Sequence, residues 1–345
     1  MQTLADRLDR VLDHAIAAHR VVGATVLVAR HGELVYHRAT GLADRDAGRR
    51  MTEATPHRLA SMTKPITALA ALALVERGAL ALDQPVTRWL PDFTPRLGDR
   101  APTITLHHLL THTSGLGYTF NEPPGGPYHE ARVSDGLDQP GLGLAENLRR
   151  LASVPLRFAP GTDFTYSLGL DVIGAVLERA ADALAVPYAD GAPPEPIHDG
   201  TAVPLFPPLV VTFAPSRALD PASYASGGAG IVGTAAAYLR LLEALRTRRI
   251  PRVTGYDRLF TDQIASLVPA TLDPGTGYTY AGAYVRDPRA LQSALRPGAV
   301  RWGGAYGHSW AIDPSTATTH VLVTNTAFEG MTGALRREVE AAVHA

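Results

Sequence analysis

The first apolar positions of the chain, Leu4, Leu8, Val11, Leu12, Ala15 and Ile16, recur at helical spacing and predict an opening helix with one buried face. Two runs rich in β-forming residues follow, 24–30 and 33–40, and the His31-Gly32 pair between them reads as a hairpin turn. From Ser61 to Arg77 the pattern is helical again. It is apolar on most sides from Ile66 onward, which predicts a helix buried in the core. Short helices are expected at 106–113 and 144–152, a longer one at 170–184, and two more at 234–246 and 333–344. Strand-like runs stand at 277–285, 299–312 and 320–326. Strands near both ends with helices between them predict an antiparallel sheet closed by the N- and C-terminal elements, with the helical middle as a second lobe. The stretches 121–143 and 187–215 hold turn formers without periodicity. Loops that long in a compact domain are usually active-site walls or mobile segments.

Composition narrows the function classes. The 345 residues fit two domains or one composite domain at roughly 150 residues each. Lys plus Arg number 32 against 33 Asp plus Glu, for a net charge of −1, which removes the electrostatic case for a nucleic-acid or anionic-membrane partner. Without cysteine there is no disulfide, thiol nucleophile or thiolate metal site. The opening segment is charged throughout and lacks the apolar core of a signal peptide. The longest apolar run, Ile66–Val75, is about half of the ~20 residues a bilayer span requires. A cytoplasmic protein is the expectation.

One count changes the picture most. Lys64 is the only lysine, every other strongly basic residue being arginine. Arginine cannot release its proton in a protein, whereas a desolvated lysine can act as a base. Lys64 also closes the run Ser61-Met62-Thr63-Lys64, an S-x-x-K spacing at the start of the buried helix. There, residues i and i+3 share a face, which sets the hydroxyl beside the amine. The helix N-terminus favours a developing oxyanion and disfavours a charged lysine. Two further elements stand in order after it: Tyr166-Ser167-Leu168 and Trp302-Gly303-Gly304-Ala305.

With these three motifs the chain resembles the serine β-lactamase and penicillin-binding-protein-like hydrolases, and within them the family VIII carboxylesterases. The resemblance runs over nearly the whole chain and includes the runs 41–45, 58–61, 109–116 and Ser226-Gly227-Gly228-Ala229-Gly230. It implies an α+β fold of β-lactamase/DD-peptidase type: an antiparallel sheet flanked by N- and C-terminal helices, with a mainly helical second lobe. The lobes would comprise residues 1–80 with 222–345, and 81–221, with the active site between them. It implies Ser61 as acylated nucleophile, Lys64 and Tyr166 as the general base and acid pair, and the backbone N–H groups of Ser61 and Ala305 as oxyanion hole. Trp302, Gly303, Gly304, Leu168 and His308 would touch substrate. No cofactor and no metal are implied, and the partner is a small-molecule ester.

Departures refine this. The β-lactamase branch has Tyr-x-Asn and Lys-Thr-Gly, whose Asn and second lysine hold the drug's amide and carboxylate. Here Leu168 and Trp302 stand in those places and no second lysine exists, so an uncharged acyl ester fits better; a carboxylate anchor would need an arginine such as Arg301. Family members also carry a further segment after the helix that follows the tyrosine motif, whereas this chain runs from Leu184 almost directly into Val186-Pro187-Tyr188. That loss predicts a more open cleft or a compensating dimer contact. The expected activity is hydrolysis of short-chain carboxylic esters through an acyl-enzyme, with some acyl transfer to alcohols. The alternatives are a β-lactamase or D-alanyl peptidase and, in another class, a non-catalytic ligand-binding relative. His107, His108 and His112 lack the glutamate of a zinc hydrolase. No serine sits in a full G-x-S-x-G elbow, the nearest being Gly307-His308-Ser309-Trp310-Ala311.

Overall fold

Thr3 starts the first helix through a reciprocal capping box: its hydroxyl accepts the Asp6 N–H at 3.1 Å while Asp6 accepts the Thr3 N–H at 2.9 Å. A computed structural model of the chain describes residues 2–180, 201–206, 209–214, 217, 223–250, 253, 255–267, 269 and 271–345. The helices are α1 (Leu4–Ala17), α2 (Lys64–Glu76), α3 (Leu106–Leu110), α4 (Pro127–Glu130), α5 (Leu144–Ser153), α6 (Gly169–Ala180), α7 (Ala235–Arg246), α8 (Asp257–Phe260) and α9 (Ala334–His344). The strands are β1 (Gly23–Arg30), β2 (Glu33–Asp44), β3 (Arg49–Arg50), β4 (His57–Arg58), β5 (Thr201–Phe206), β6 (Leu209–Phe213), β7 (Val232–Gly233), β8 (Thr276–Tyr278), β9 (Ala283–Val285), β10 (Val300–Gly304), β11 (His308–Asp313) and β12 (Thr318–Thr324).

Eight strands form one antiparallel sheet in the order β3-β2-β1-β12-β11-β10-β9-β8. The two ends of the chain meet at its centre, where β1 pairs with β12 from Ala24↔Thr324 to Arg30↔Thr318. The β1–β2 turn is His31-Gly32 as the sequence indicates, with φ of +50° and +89°, the left-handed pair that a two-residue hairpin of this twist requires. β1 is buried along nearly its whole length because both faces are covered. Ala24, Val26 and Val28 pack with Leu8, Leu12, Leu335, Val339 and Val343 of α1 and α9. Leu27 and Ala29 face the larger core with Met62, Leu69 and Leu72, and that core continues to Leu109, Leu110, Val172, Ile173 and Val176 of α3 and α6. α2 is therefore apolar on most sides because sheet and helices enclose it.

Several boundaries differ from the sequence reading. The runs 277–285 and 299–312 are each a hairpin and not one strand: β8–β9 turn through 279–282, and β10–β11 through Ala305-Tyr306-Gly307. The helix expected from Ser61 opens as a 3₁₀ turn, Ala60–Thr63, and becomes α-helical at Lys64. The helix expected to reach Thr113 ends at Leu110, since His112 takes φ +57°. Part of the turn-rich stretch 187–215 is the β5–β6 hairpin. The junction 181–200, where the shortened segment falls, lies outside the described residues. No helix among the described residues is long and apolar enough to cross a membrane.

Candidate active site

The turn that carries Ser61 is fixed from several directions. Leu59 N–H donates to Ile231 C=O at 2.9 Å, Ile231 N–H to Thr63 Oγ1 at 3.2 Å, and the Tyr238 hydroxyl to Met62 C=O at 2.8 Å. Ala60 is held at φ +46°, a left-handed conformation costly for a residue with a Cβ. The price is met by this surrounding network, and the result is a partly exposed serine on a rigid shoulder. Lys64, 2% exposed, reaches back from the first residue of α2: its Nζ donates to Ser61 Oγ at 3.2 Å and to Gly228 C=O at 2.9 Å. The S-x-x-K spacing thus produces the contact its helical geometry predicts.

Tyr166 enters from the segment before α6. Its ring lies 4.7 Å from His112, 5.3 Å from Tyr118 and 5.0 Å from Trp302, centroid to centroid, and Lys64 Nζ lies 4.8 Å from its centre. Trp302 Nε1 donates to the Tyr166 hydroxyl at 3.2 Å. Asn121 Nδ2 holds the Tyr166 carbonyl at 2.6 Å. His112 is fully buried beneath, its Nδ1 accepting the Ser167 N–H at 3.2 Å; burial, then the nearby Lys64, pushes the ring far below the usual histidine range.

A cavity of about 700 Å³ opens over Ser61, and Tyr166, Trp302, Gly303 and Ala305 line it as expected. β10 pairs with β9 only at Val300 and Arg301, so from Trp302 onward its edge faces this cavity. Tyr118, Phe120, Phe164, Leu137 and Val211 make much of the wall apolar. Asp135 is one of the buried polar residues that also line it. Burial, with Asp138 nearby, pushes its carboxyl up to about 8, although the Thr119 N–H donates to it at 2.9 Å.

Three residues assigned to substrate contact are elsewhere. Leu168 is 0% exposed in the main core and off the cavity wall, because the residue two after Tyr166 turns inward as α6 begins. His308 is 1% exposed, with Nε2 2.8 Å from Arg58 C=O and Nδ1 accepting the Thr324 N–H at 3.3 Å; burial pushes it down to about 3. It ties β11 to the strand preceding Ser61. Gly304 is a spacer, since a Cβ there would strike Leu59 C=O next to the Ser61 turn. Arg301 also lines the cavity, but its guanidinium is paired with Glu340 of α9 at 3.1 Å, which engages the arginine considered as a carboxylate anchor. Sequence reasoning missed Tyr118, Phe120, Asp135 and Asp171. The stretch 121–143 was signalled as a wall, and Asn121, Asp135 and Leu137 do line the cavity, but no spacing singles out the side chains.

Esterase EstB of Burkholderia gladioli is 49% identical to this chain over 379 aligned positions, covering 99% of the chain and 96% of the relative. That alignment is longer than the chain, so the relative carries residues without a counterpart here. The solved structure of EstCE1, described as a hydrolase with promiscuous acyltransferase activity, superposes with a TM-score of 0.89 at 39% identity, over 99% of this chain and 98% of that one. A class C β-lactamase in complex with cefoxitin shares the fold at 17% identity, with a TM-score of 0.69 over 99% and 98% of the two chains. The antiparallel sheet with its helices is therefore the β-lactamase type of fold that the resemblance implied. The family described as Beta-lactamase matches residues 8–345, and the chain belongs to that family.

Proposed function

We propose that the chain is a carboxylesterase that cleaves short-chain esters through an acyl-enzyme on Ser61. The observation that carries this reading is the 3.2 Å contact between the only lysine and a serine at the floor of a largely apolar cavity. Ser61 Oγ attacks the ester carbonyl, and its proton passes to the Lys64–Tyr166 pair. The carbonyl oxygen, now an oxyanion, is received by the backbone N–H groups of Ser61 and Ala305; one such donor is typically worth about 3 kcal/mol of barrier. Collapse expels the alcohol, which takes the proton back, and water or a second alcohol then releases the acyl group. The relation to EstB and EstCE1 supports ester hydrolysis with acyl transfer to alcohols as a side reaction. The apolar wall, Trp302 in place of a lysine and the engagement of Arg301 by Glu340 support an uncharged acyl group. Substrate would enter between a lobe of residues 1–80 with 222–345 and a lobe of 81–221. The cavity draws Ser61, Trp302 and Phe328 from the first and Tyr118, Phe120 and Tyr166 from the second.

The test is the intact mass of the protein, acid-quenched seconds after mixing with p-nitrophenyl butyrate, beside Ser61→Ala. One butyryl group on the wild type and none on the variant is the expected result. Equal nitrophenol release by both proteins would place the chemistry elsewhere.

A further inference from the structure

The turn 119–121 brings together an aromatic pair and a carboxyl on one wall of the cavity. The Phe120 ring stacks on Tyr118 with centroids 4.6 Å apart and planes 16° apart. Tyr118 is buried, while Phe120 stays partly exposed and presents its ring to the cavity. Between the two in sequence, the Thr119 N–H donates to Asp135 Oδ1 at 2.9 Å. The carboxyl and the rings are thereby held as one unit.

Asp135 is 7% exposed, and no cation of the chain meets it. Among the described residues it forms no ion pair, and its Oδ2 accepts no hydrogen bond. That oxygen is not enclosed by protein either, so it is left facing the cavity that Asp135 lines. The charged groups around it are all committed elsewhere or of the same sign. Asp138, a second acid, accepts the Asp135 N–H at 3.2 Å and the Ser134 hydroxyl at 2.6 Å. Arg157, the guanidinium on this side of the cavity, is turned to Glu122 at 3.5 Å and to Asn121 C=O at 3.2 Å. Lys64 is engaged by Ser61 and by Gly228 C=O. A buried carboxyl in that position either keeps a proton, as its rise to about 8 reflects, or is met by a cation from outside the chain.

We infer that Asp135 and the Phe120 ring form a subsite for an alkylammonium group on the alcohol part of the substrate, so that esters of amino alcohols are preferred. This deepens the acyl-enzyme reading above and rests on it. The alcohol oxygen leaves toward the Lys64–Tyr166 pair that returns its proton, and the Tyr118 ring lies 5.3 Å from that of Tyr166. A short chain beyond the leaving oxygen then reaches Phe120 and Asp135. The acyl chain has its own apolar place beside Ala305, where Leu137, Val211 and Phe328 cluster. The carboxylate supplies charge and a hydrogen-bond acceptor, and the ring face supplies cation–π attraction away from water. The bonds made and broken are unchanged: Oγ gains the acyl group, and the amino alcohol departs with the proton.

The test compares two butyrate esters of the same shape, dimethylaminoethyl butyrate and isoamyl butyrate, in which a CH replaces the nitrogen. At pH 7.5, with spontaneous hydrolysis subtracted, the wild type is expected to favour the amine ester by about tenfold in kcat/KM. A ratio near one, or one favouring the hydrocarbon ester, would overturn the inference without any variant. Asp135→Asn keeps an acceptor for the Thr119 N–H and removes the charge. It is expected to bring the ratio to within about twofold of one, chiefly through KM for the amine ester. Because both esters are measured on one protein, a general loss of activity or stability in the variant does not move the ratio. A preference that survives in Asp135→Asn would overturn the role of the carboxyl, and one untouched by Phe120→Leu would remove the ring from the subsite. Failure of the acyl-enzyme reading would show separately, as a missing butyryl adduct on the wild type with p-nitrophenyl butyrate.

Discussion

Tyr166 receives at its oxygen a donor that cannot accept in return, the indole N–H of Trp302 at 3.2 Å. Such a bond stabilises negative charge on the phenol and does nothing for its neutral form as a donor. Trp302→Phe keeps an aromatic wall and removes that single hydrogen. It is expected to lower kcat/KM for p-nitrophenyl butyrate by about tenfold, equivalent to about 1.4 kcal/mol, with the melting temperature little changed. A value within twofold of the wild type would show that the bond is idle in the reaction. At this scale Ser61 and Lys64 were legible because spacing along one turn of helix sets where they meet, whereas Tyr166 and Trp302, distant in sequence, were legible only through the family resemblance. Leu168 and His308 were misread because a motif says that residues are neighbours in sequence, not which of them turns into the core. Asp171 left no trace, since a carboxylate one turn into a helix looks like any solvated or capping residue until the Ser226 loop packed over it is seen.

Hairpins decide where the backbone of the site lies. The β10–β11 turn is built from Ala305, Tyr306 and Gly307, and only the last carries a turn signal; Ala and Tyr read as a continuing strand, which hid the reversal in 299–312. The same happened in 277–285, where the reversal is stabilised by Thr279 N–H donating to Gly282 C=O at 2.8 Å. Gly307 stands at φ +100°, and a Cβ there would collide with Thr326 C=O. Gly307→Ala is therefore expected to destabilise the fold by about 2 kcal/mol or more, as a lower urea midpoint, and to cost activity by moving Ala305. An alanine variant as stable and as active as the wild type would mean the turn relaxes freely. The longer helices, by contrast, were mostly found, because an apolar stripe repeats over several turns while a boundary depends on one residue, such as His112 at φ +57°; the four-residue α4 and α8 carry no such stripe and went unread.

The molecule buries histidines in neutral form both on its sheet and beside the Ser61 and Tyr166 segments. Burial pushes His57 down to about 4 and His308 and His320 to about 3, and His112 far below its usual range. An unfolded chain protonates histidine near 6.5. These rings thus contribute fully above about pH 6.5, and stability is lost as pH falls toward their folded values, by up to ~1.4 kcal/mol per unit for each ring. Asp135, raised to about 8, and Asp171 act in the opposite sense, taking up protons in the folded state first. The lowered rings, which include His107, His108 and His344, outnumber the two raised carboxyls, so a net loss of stability is expected as pH falls from about 6 toward 4. Urea midpoints at pH 7.5 and 5 are expected to differ clearly, and equal midpoints would sink the argument. The sheet that carries His308 and His320 was legible as strands at both chain ends, but its order was not, because pairing between β1 and β12 is a contact across the full length of the chain.

Lys64 also governs how the protein meets reagents from outside. Its amine is the only one on any side chain, and it lies 2% exposed behind Ser61, so the outer surface presents guanidinium groups and no lysine. An enzyme that handles activated acyl groups thereby offers them no lysine on which stray acylation could accumulate. Amine-directed labels and lysine-specific proteases would find no purchase on the folded surface's side chains, and any mark on a lysine would report the buried position behind Ser61.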